Sequence, residues 1–122
     1  MSIPTMIVDD QDDIRVLIRM LISVANDGLQ VACEASSGPE ALAKIACCDP
    51  RVVVLDEMMP GMNGVETATR IRARRPQQLV ILCSAYVDDD VERRALAAGI
   101  AAVVPKESVG SIPALIQELV AS

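Results

Sequence analysis

Acidic residues stand at the ends of two apolar segments of this sequence. Asp9 and Asp10 follow the largely apolar residues 3–8, and Asp56 follows four apolar residues in succession. An ionised carboxylate withdrawn from water costs several kcal/mol unless another group pairs with it. The sequence should therefore contain partners for Asp56. Two polar residues that end later apolar segments, Ser84 and Lys106, are candidates.

Three carboxylates brought together would need a cation. At a separation of ~5 Å each pair repels by ~3 kcal/mol at an effective dielectric constant of 20, which raises the pKa values or favours a bound counter-ion. Mg²⁺ prefers oxygen ligands from one or two carboxylates, water and phosphate. We therefore expect a magnesium site made of Asp9, Asp10, Asp56 and the backbone carbonyl of Met58.

A carboxylate beside Mg²⁺, an ammonium group and a hydroxyl has the parts needed for phosphoryl transfer. Catalysis of that reaction consists mainly of positioning and of neutralising charge on the equatorial oxygens. Asp56 would be the nucleophile. Lys106 would pair with one phosphoryl oxygen, and Ser84 would donate a hydrogen bond to another.

Each of these residues has a simpler interpretation when it is considered alone. Asp9 and Asp10 would favour a helix start, since the first turn of a helix attracts negative charge. Lys106 would be a solvated lysine and Ser84 a hydroxyl at a strand end. Their joint occurrence, at four strand ends in this chain order, favours a common site.

Five apolar segments must position these residues. They cover 3–8, 29–35, 51–56, 78–84 and 100–106, and they alternate with helical patterns. The third and fourth are apolar on both faces, which is typical of a parallel sheet covered on both sides. We expect an α/β fold with a doubly wound, flavodoxin-like sheet of five parallel strands and five helices, and the order 2-1-3-4-5 would bring the four polar strand ends together. Ligands of such sheets bind beyond the carboxyl ends of the strands.

Capping signals and apolar spacing predict where the helices lie. Ser37 with Glu40 has the spacing of a capping box, and Asn63 with Glu66 resembles another helix start. Gly99 should end the fourth helix. The first helix should present one apolar face made of Ile14, Leu17, Ile18, Leu21 and Val24.

Composition excludes several classes of protein. The chain has 122 residues, which is enough for one domain, and a net charge of -6. That charge argues against binding to nucleic acid or to anionic lipid. No apolar run approaches the ~20 residues needed to span a bilayer, and the N-terminus lacks a signal-peptide pattern. We therefore expect a cytoplasmic protein.

The cysteines carry no recognisable site pattern. The chain lacks histidine and C-x-x-C spacing, so neither a zinc site nor a disulfide framework is indicated. We expect reduced thiols, with Cys83 buried and inert despite its position beside Ser84. The four cysteines are Cys33, Cys47, Cys48 and Cys83.

Four short motifs together resemble the receiver domain of bacterial two-component response regulators. They are VDD at 8–10, LDEMMPGMNG at 55–64, LCSA at 82–85 and PKES at 105–108. The resemblance covers essentially the whole chain. It implies that this is a single receiver domain, residues 1–122, without an output domain of its own.

The resemblance also implies a role for each matched residue. The aspartate matching Asp56 takes a phosphoryl group from a sensor histidine kinase, a phosphotransfer protein or a small acyl phosphate. The pair matching Asp9 and Asp10 holds Mg²⁺, and the residues matching Ser84 and Lys106 contact the phosphoryl oxygens. The implied downstream partner is an output protein or a fused output domain, and a homodimer stays open.

Three positions depart from the pattern of that family. Asn63 replaces a common Asp, and Glu107 replaces a common Pro after the lysine, so we expect a trans bond between Lys106 and Glu107. Val103 stands where many members carry a Tyr or Phe that rotates on activation. We therefore hypothesise that the signal leaves through the Ser84 loop, Tyr86 and the following helix.

Two other functions compete with a phosphorylated receiver. One is a protein-interaction module of the same fold that is never phosphorylated. The other is a phosphatase resembling the dehalogenase family, but the D-x-D-x-T motif of such enzymes is absent from DDQDDI. A nucleotide-binding role is weaker still, because neither glycine-rich phosphate-binding motif occurs.

Overall fold

Five parallel strands form one sheet in the computed structural model, which describes residues 2–25 and 27–122. Every neighbouring pair of strands is parallel, and the order is β2-β1-β3-β4-β5. The predicted strand order and α/β class are confirmed. The strands are β1 Ile3–Val8, β2 Leu29–Ala35, β3 Val52–Asp56, β4 Leu79–Ser84 and β5 Ala102–Pro105.

Five α-helices connect and follow the strands, as predicted. Their starts agree with the capping signals: the Ser37 hydroxyl accepts a hydrogen bond from the amide of Glu40, and the Asn63 side chain accepts one from the amide of Glu66. A short 3-10 helix before the last α-helix, Lys106–Ser111, was not predicted. The helices are α1 Asp12–Ala25, α2 Gly38–Cys48, α3 Gly64–Arg74, α4 Asp89–Ala97 and α5 Ile112–Ala121.

Aliphatic side chains fill the space on both faces of the sheet. Residues of α2, α3 and α4 pack on one face, and residues of α1 and α5 pack on the other. The predicted apolar face of α1 is partly wrong, because Ile18 and Ile22 are its buried side chains while Leu17 is 40% and Val24 83% exposed. A spacing of four residues aligns Ile14, Ile18 and Ile22 on the inner face.

A disulfide bond corrects the prediction for the cysteines. Cys33 of β2 is bonded to Cys48 at the end of α2, so these two residues are not reduced thiols. Their separation of 15 residues matches no standard motif, and the fold alone brings them together. Cys47 and Cys83 are free, and only Cys83 is buried.

Two further expectations can be compared with the described residues. Every peptide bond among them is trans, which includes the predicted trans bond between Lys106 and Glu107. None of the described helices has the length and apolar character needed to cross a membrane.

Candidate functional site

The carboxyl ends of β1 and β3 bring three acidic side chains together. The two strands are neighbours in register, with Val8 opposite Leu55, so the residues that follow them are also adjacent. One carboxylate oxygen from each of Asp9, Asp10 and Asp56 lies within 4.8 Å of the others. Asp9 and Asp56 are buried, whereas Asp10 is exposed. One edge of this cluster is therefore open to solvent.

Lys106 lies between the two buried acids. Its Nζ atom is 3.1 Å from Asp56 Oδ1 and 3.4 Å from Asp9 Oδ2. The lysine reaches this position because β5 is beside β4 and ends just before it, with Pro105 opposite Ser84. One ammonium group thus contacts two of the three clustered carboxylates, and the cluster keeps an excess of negative charge.

Burial is the main cause of the raised pKa values of the two buried acids in the cluster, and the charge of a neighbouring acid adds to it. Burial, followed by the charge of Asp9, raises the pKa of Asp56 to about 6 even though Lys106 pulls it down. Burial also raises the pKa of Asp9. For Lys106 burial alone would lower the pKa, but its hydrogen bond to Asp56 and the charges of both acids raise it overall. The site stabilises a cation and disfavours further anions unless a cation accompanies them.

The donor set fits a hard divalent cation. Three carboxylates at these distances offer only oxygen ligands, and the exposed Asp10 leaves room for water. The backbone amide of Met58 donates a hydrogen bond to Asp56 Oδ1 at 3.3 Å. This contact folds residues 56–58 around the acid, and ligation by the Met58 carbonyl stays a prediction.

Ser84 has a partner other than Asp56. Its buried hydroxyl donates to the backbone carbonyl of Tyr86 at 2.7 Å and accepts a weaker bond from the Tyr86 amide at 3.4 Å. The Tyr86 ring is 75% exposed. Beside Ser84, burial raises the pKa of the Cys83 thiol to about 11, which keeps it protonated and unreactive.

Sequence reasoning missed the charged residues that surround the site. Arg15, on the first helix after the acids, donates to the backbone carbonyl of Asp9 at 2.5 Å and lies 3.4 Å from Glu34 of β2. Glu57, directly after Asp56, is only 4% exposed and pairs with Arg94 of α4 at 3.0 Å. An acid one residue beyond a buried strand was the available signal for Glu57.

Comparison with known proteins identifies the family. The family model described as the response regulator receiver domain matches residues 5–119. This chain belongs to the response regulator receiver family. The response regulator protein VraR of Staphylococcus aureus is 34% identical over 106 residues, which are 87% of this chain and 50% of VraR. This receiver domain therefore spans about half the length of the curated relatives it matches.

Solved structures of other receiver domains share the fold. The receiver domain of the response regulator NarL from Mycobacterium tuberculosis has a TM-score of 0.89 and 28% identity, with 97% of this chain and 95% of that chain covered. A LuxR-family response regulator from Aurantimonas sp. has a TM-score of 0.86 and 27% identity, with 97% and 87% covered. Receiver domains are signalling modules of two-component systems, and phosphorylation and Mg²⁺ are typical of the family.

Proposed function

We propose that Asp56 accepts a phosphoryl group and that this modification switches a partner-binding surface. The observation that carries the proposal is the contact of Lys106 with both buried acids, Asp56 and Asp9, beside the exposed Asp10. A structural ion pair would need one acid for one lysine. The additional carboxylates have a function if they bind Mg²⁺, which would neutralise charge on the phosphoryl oxygens.

In the proposed reaction a carboxylate oxygen of Asp56 attacks the phosphorus atom of the donor. The bond from phosphorus to the donor's leaving atom breaks, and its electron pair leaves with that atom. Lys106 lies close enough to pair with one equatorial oxygen. At pH 7 Asp56 is mostly ionised, because its pKa of about 6 lies below that pH. The nucleophile is therefore in its reactive form before the donor binds.

Ser84 provides the proposed link to the surface. Its hydroxyl now donates to the Tyr86 carbonyl, and a phosphoryl oxygen would be a stronger acceptor because it is charged. Exchange of that partner would release the backbone at Tyr86 and alter the loop before α4. Comparable activation-linked shifts in Tyr86→Ala would exclude the ring from this route.

The partners and location follow from the same proposal. A sensor histidine kinase or a phosphotransfer protein would supply the phosphoryl group. The signal would pass to an output protein or to a fused output domain, and residues 1–122 would act as one receiver domain without contacting nucleic acid. The domain would meet these partners in the cytoplasm. The domain would promote gain and loss of its own phosphoryl group without turning over another substrate.

Intact-mass measurement with acetyl phosphate tests the proposal. The unsubstituted protein should gain the mass of one phosphoryl group when Mg²⁺ is present, and much less when the metal is chelated. Asp56→Asn should gain none, whereas Asp88→Asn, a change in an exposed acid of the α4 cap, should behave like the unsubstituted protein. An adduct of equal size in Asp56→Asn would contradict the assignment, and no adduct with any donor would favour the unphosphorylated interaction module.

A further inference from the structure

Glu57 carries a buried charge directly beside the proposed phosphoacceptor. One of its carboxylate oxygens accepts a hydrogen bond from the amide of Val65 at 2.9 Å, in the first turn of α3. The other accepts from Arg94 Nη1 at 3.0 Å, on α4. With 4% of its surface exposed, Glu57 has little access to water. Loss of Arg94 would leave a buried carboxylate without a cation, which is costly.

The backbone of Glu57 is fixed as firmly as its side chain. Its amide donates to the Cys83 carbonyl at 3.2 Å, and its carbonyl accepts from the amide of Gly64 at 3.0 Å. A Cβ atom at Gly64 would lie 2.4 Å from the Asp56 carbonyl oxygen and 2.8 Å from the Glu57 Cα. The start of α3 thus touches this backbone directly. Residues 56–58 cannot shift without moving the groups bonded to Glu57.

Helix α4 is held to the sheet by a small apolar surface. Val91 and Ala95 are its buried side chains, and Leu96 is 79% exposed. Arg94 adds a polar link from the helix to the residue after Asp56. Arg94 also donates to Asp90 at 3.0 Å on the helix surface, so it has a second partner. Among the described residues Arg94 is the one cation paired with Glu57.

We propose that the Glu57–Arg94 ion pair transmits the phosphorylation state of Asp56 to α4. The inference rests on the proposed function, because Glu57 lies between Asp56 and Met58, the two residues expected to contact the phosphoryl group and the metal. Conversion of the Asp56 carboxylate into an acyl phosphate changes its charge from -1 to about -1.5 to -2, one residue before Glu57. The buried carboxylate cannot release its cation cheaply, so a displacement of residues 56–58 carries Arg94 and α4 with it.

In this route the Glu57–Arg94 pair would do the work of a rotating aromatic ring, since Val103 stands at the position of that ring. It is separate from the Ser84 route, which acts on the loop before the helix through the Tyr86 backbone. The ion pair instead holds the helix itself, one turn after its first residues. The two routes can therefore be separated by substitution.

Amide spectra of α4 with and without beryllium trifluoride and Mg²⁺ test the inference. Beryllium trifluoride on a carboxylate is a stand-in for the phosphoryl group. In the unsubstituted protein the amides of residues 89–98 should shift on saturation. In Arg94→Gln the mean shift over these residues should fall at least about twofold, because loss of a coupling contact changes a two-state equilibrium by about that factor or more.

Matched variants separate coupling from folding. Arg93→Gln, the adjacent arginine that pairs only with Asp90 among the described residues, should keep the full α4 response. Glu57→Gln retains the shape of the side chain and an acceptor for Val65, and it should lose the response as Arg94→Gln does. Arg94→Lys keeps the charge and should restore most of it. A merely structural role would already alter the α4 amide positions of Arg94→Gln without beryllium trifluoride, so unchanged positions in that state together with a reduced response identify coupling.

Intact mass of the same samples after acetyl phosphate treatment distinguishes the two proposals. Equal adduct formation in the unsubstituted protein and in Arg94→Gln, with a reduced α4 response in the variant, supports the inference. Equal adducts with an equal α4 response in Arg94→Gln, or with no α4 response in the unsubstituted protein, overturn the inference alone. No adduct in the unsubstituted protein overturns the proposed function and the inference together.

Discussion

The two ends of the sheet contain similar polar groups that are paired very differently. At the carboxyl end, the buried acids Asp9 and Asp56 share one cation among the described residues, Lys106. At the amino end, Arg75 donates to Asp49 at 2.7 Å and to the side-chain carbonyl of Gln78 at 2.8 Å. The side-chain nitrogen Nε2 of the same glutamine donates to two backbone carbonyls. At the amino end the side chains of Arg75 and Gln78 thus find their hydrogen-bond partners within the protein.

This difference separates a structural network from a binding site. A satisfied network stabilises the fold and needs no further group. A cluster with more acids than cations has raised pKa values and gains free energy when a cation arrives. The acid cluster at the carboxyl end of the sheet should therefore lower the free energy of unfolding while serving function. The network at the amino end should raise the free energy of unfolding without affecting function.

The largest expected loss of stability comes from reducing the disulfide bond. Cys33 and Cys48 close a loop of 15 residues, and Cys48 directly precedes Asp49 of the amino-end network. Reduction should lower the free energy of unfolding by about 3 kcal/mol, chiefly because the unfolded chain regains freedom. Urea unfolding with and without reductant measures this change.

The matched control for the disulfide is the neighbouring free thiol. Cys47 is exposed and unbonded, so Cys47→Ser should leave stability unchanged while Cys33→Ser should reproduce the effect of reductant. Alkylation of the unfolded, unreduced protein should modify two cysteines, and four should react after reduction. Four alkylated cysteines before reduction would contradict the bond. Phosphoryl adduct formation should be the same in both redox states.

An effect of comparable size and opposite sign is expected at the carboxyl end. In the folded protein the pKa of Asp56 is raised from its ordinary value of 3.8 to about 6. Below pH 3.8 both the folded and the unfolded states hold the proton, so the burial cost is absent. Between that pH and 6 the unfolded state loses its proton first, and stability falls. Without metal, Asp56→Asn should therefore be more stable than the unsubstituted protein at pH 7, by about 3 kcal/mol.

Urea unfolding at pH 4 and pH 7, without divalent cations, measures this prediction. The advantage of Asp56→Asn should shrink towards pH 4. Equal stability of Asp56→Asn and the unsubstituted protein at both pH values would remove the proposed conflict between function and stability.

At the amino end, Gln78→Ala should lower the free energy of unfolding by about 2 kcal/mol at pH 7, because buried donors and acceptors would lose their partners.

Strand ends were predictable from the sequence because local pattern determines them. Apolar runs that end in polar residues were enough to predict five parallel strands, and Asp9, Asp56 and Lys106 do meet at their carboxyl ends. The order of the strands did not follow from these runs alone. The face of α1 was less predictable, because Val24 fits the helical spacing as well as Ile22 does but lies 83% exposed near the helix end.

Contacts between distant segments were not predictable. Glu57 and Arg94 are 37 residues apart in sequence, and nothing local to either marks the other as its partner. The bond between Cys33 and Cys48 likewise depends on how α2 lies against β2. A single sequence shows which residues bear charge or sulfur, but packing decides which of them meet.

The most direct test of the account is to locate bound metal with Mn²⁺, a paramagnetic ion that takes oxygen ligands as Mg²⁺ does. Saturable broadening of amide signals should centre on residues 9–10 and 56–58. Asp10→Asn, a change in an exposed ligand, should weaken it strongly, whereas Asp49→Asn at the amino end should not. Broadening centred on the amino end, or equal binding in Asp10→Asn, would contradict the claim that the unbalanced acids form the metal site.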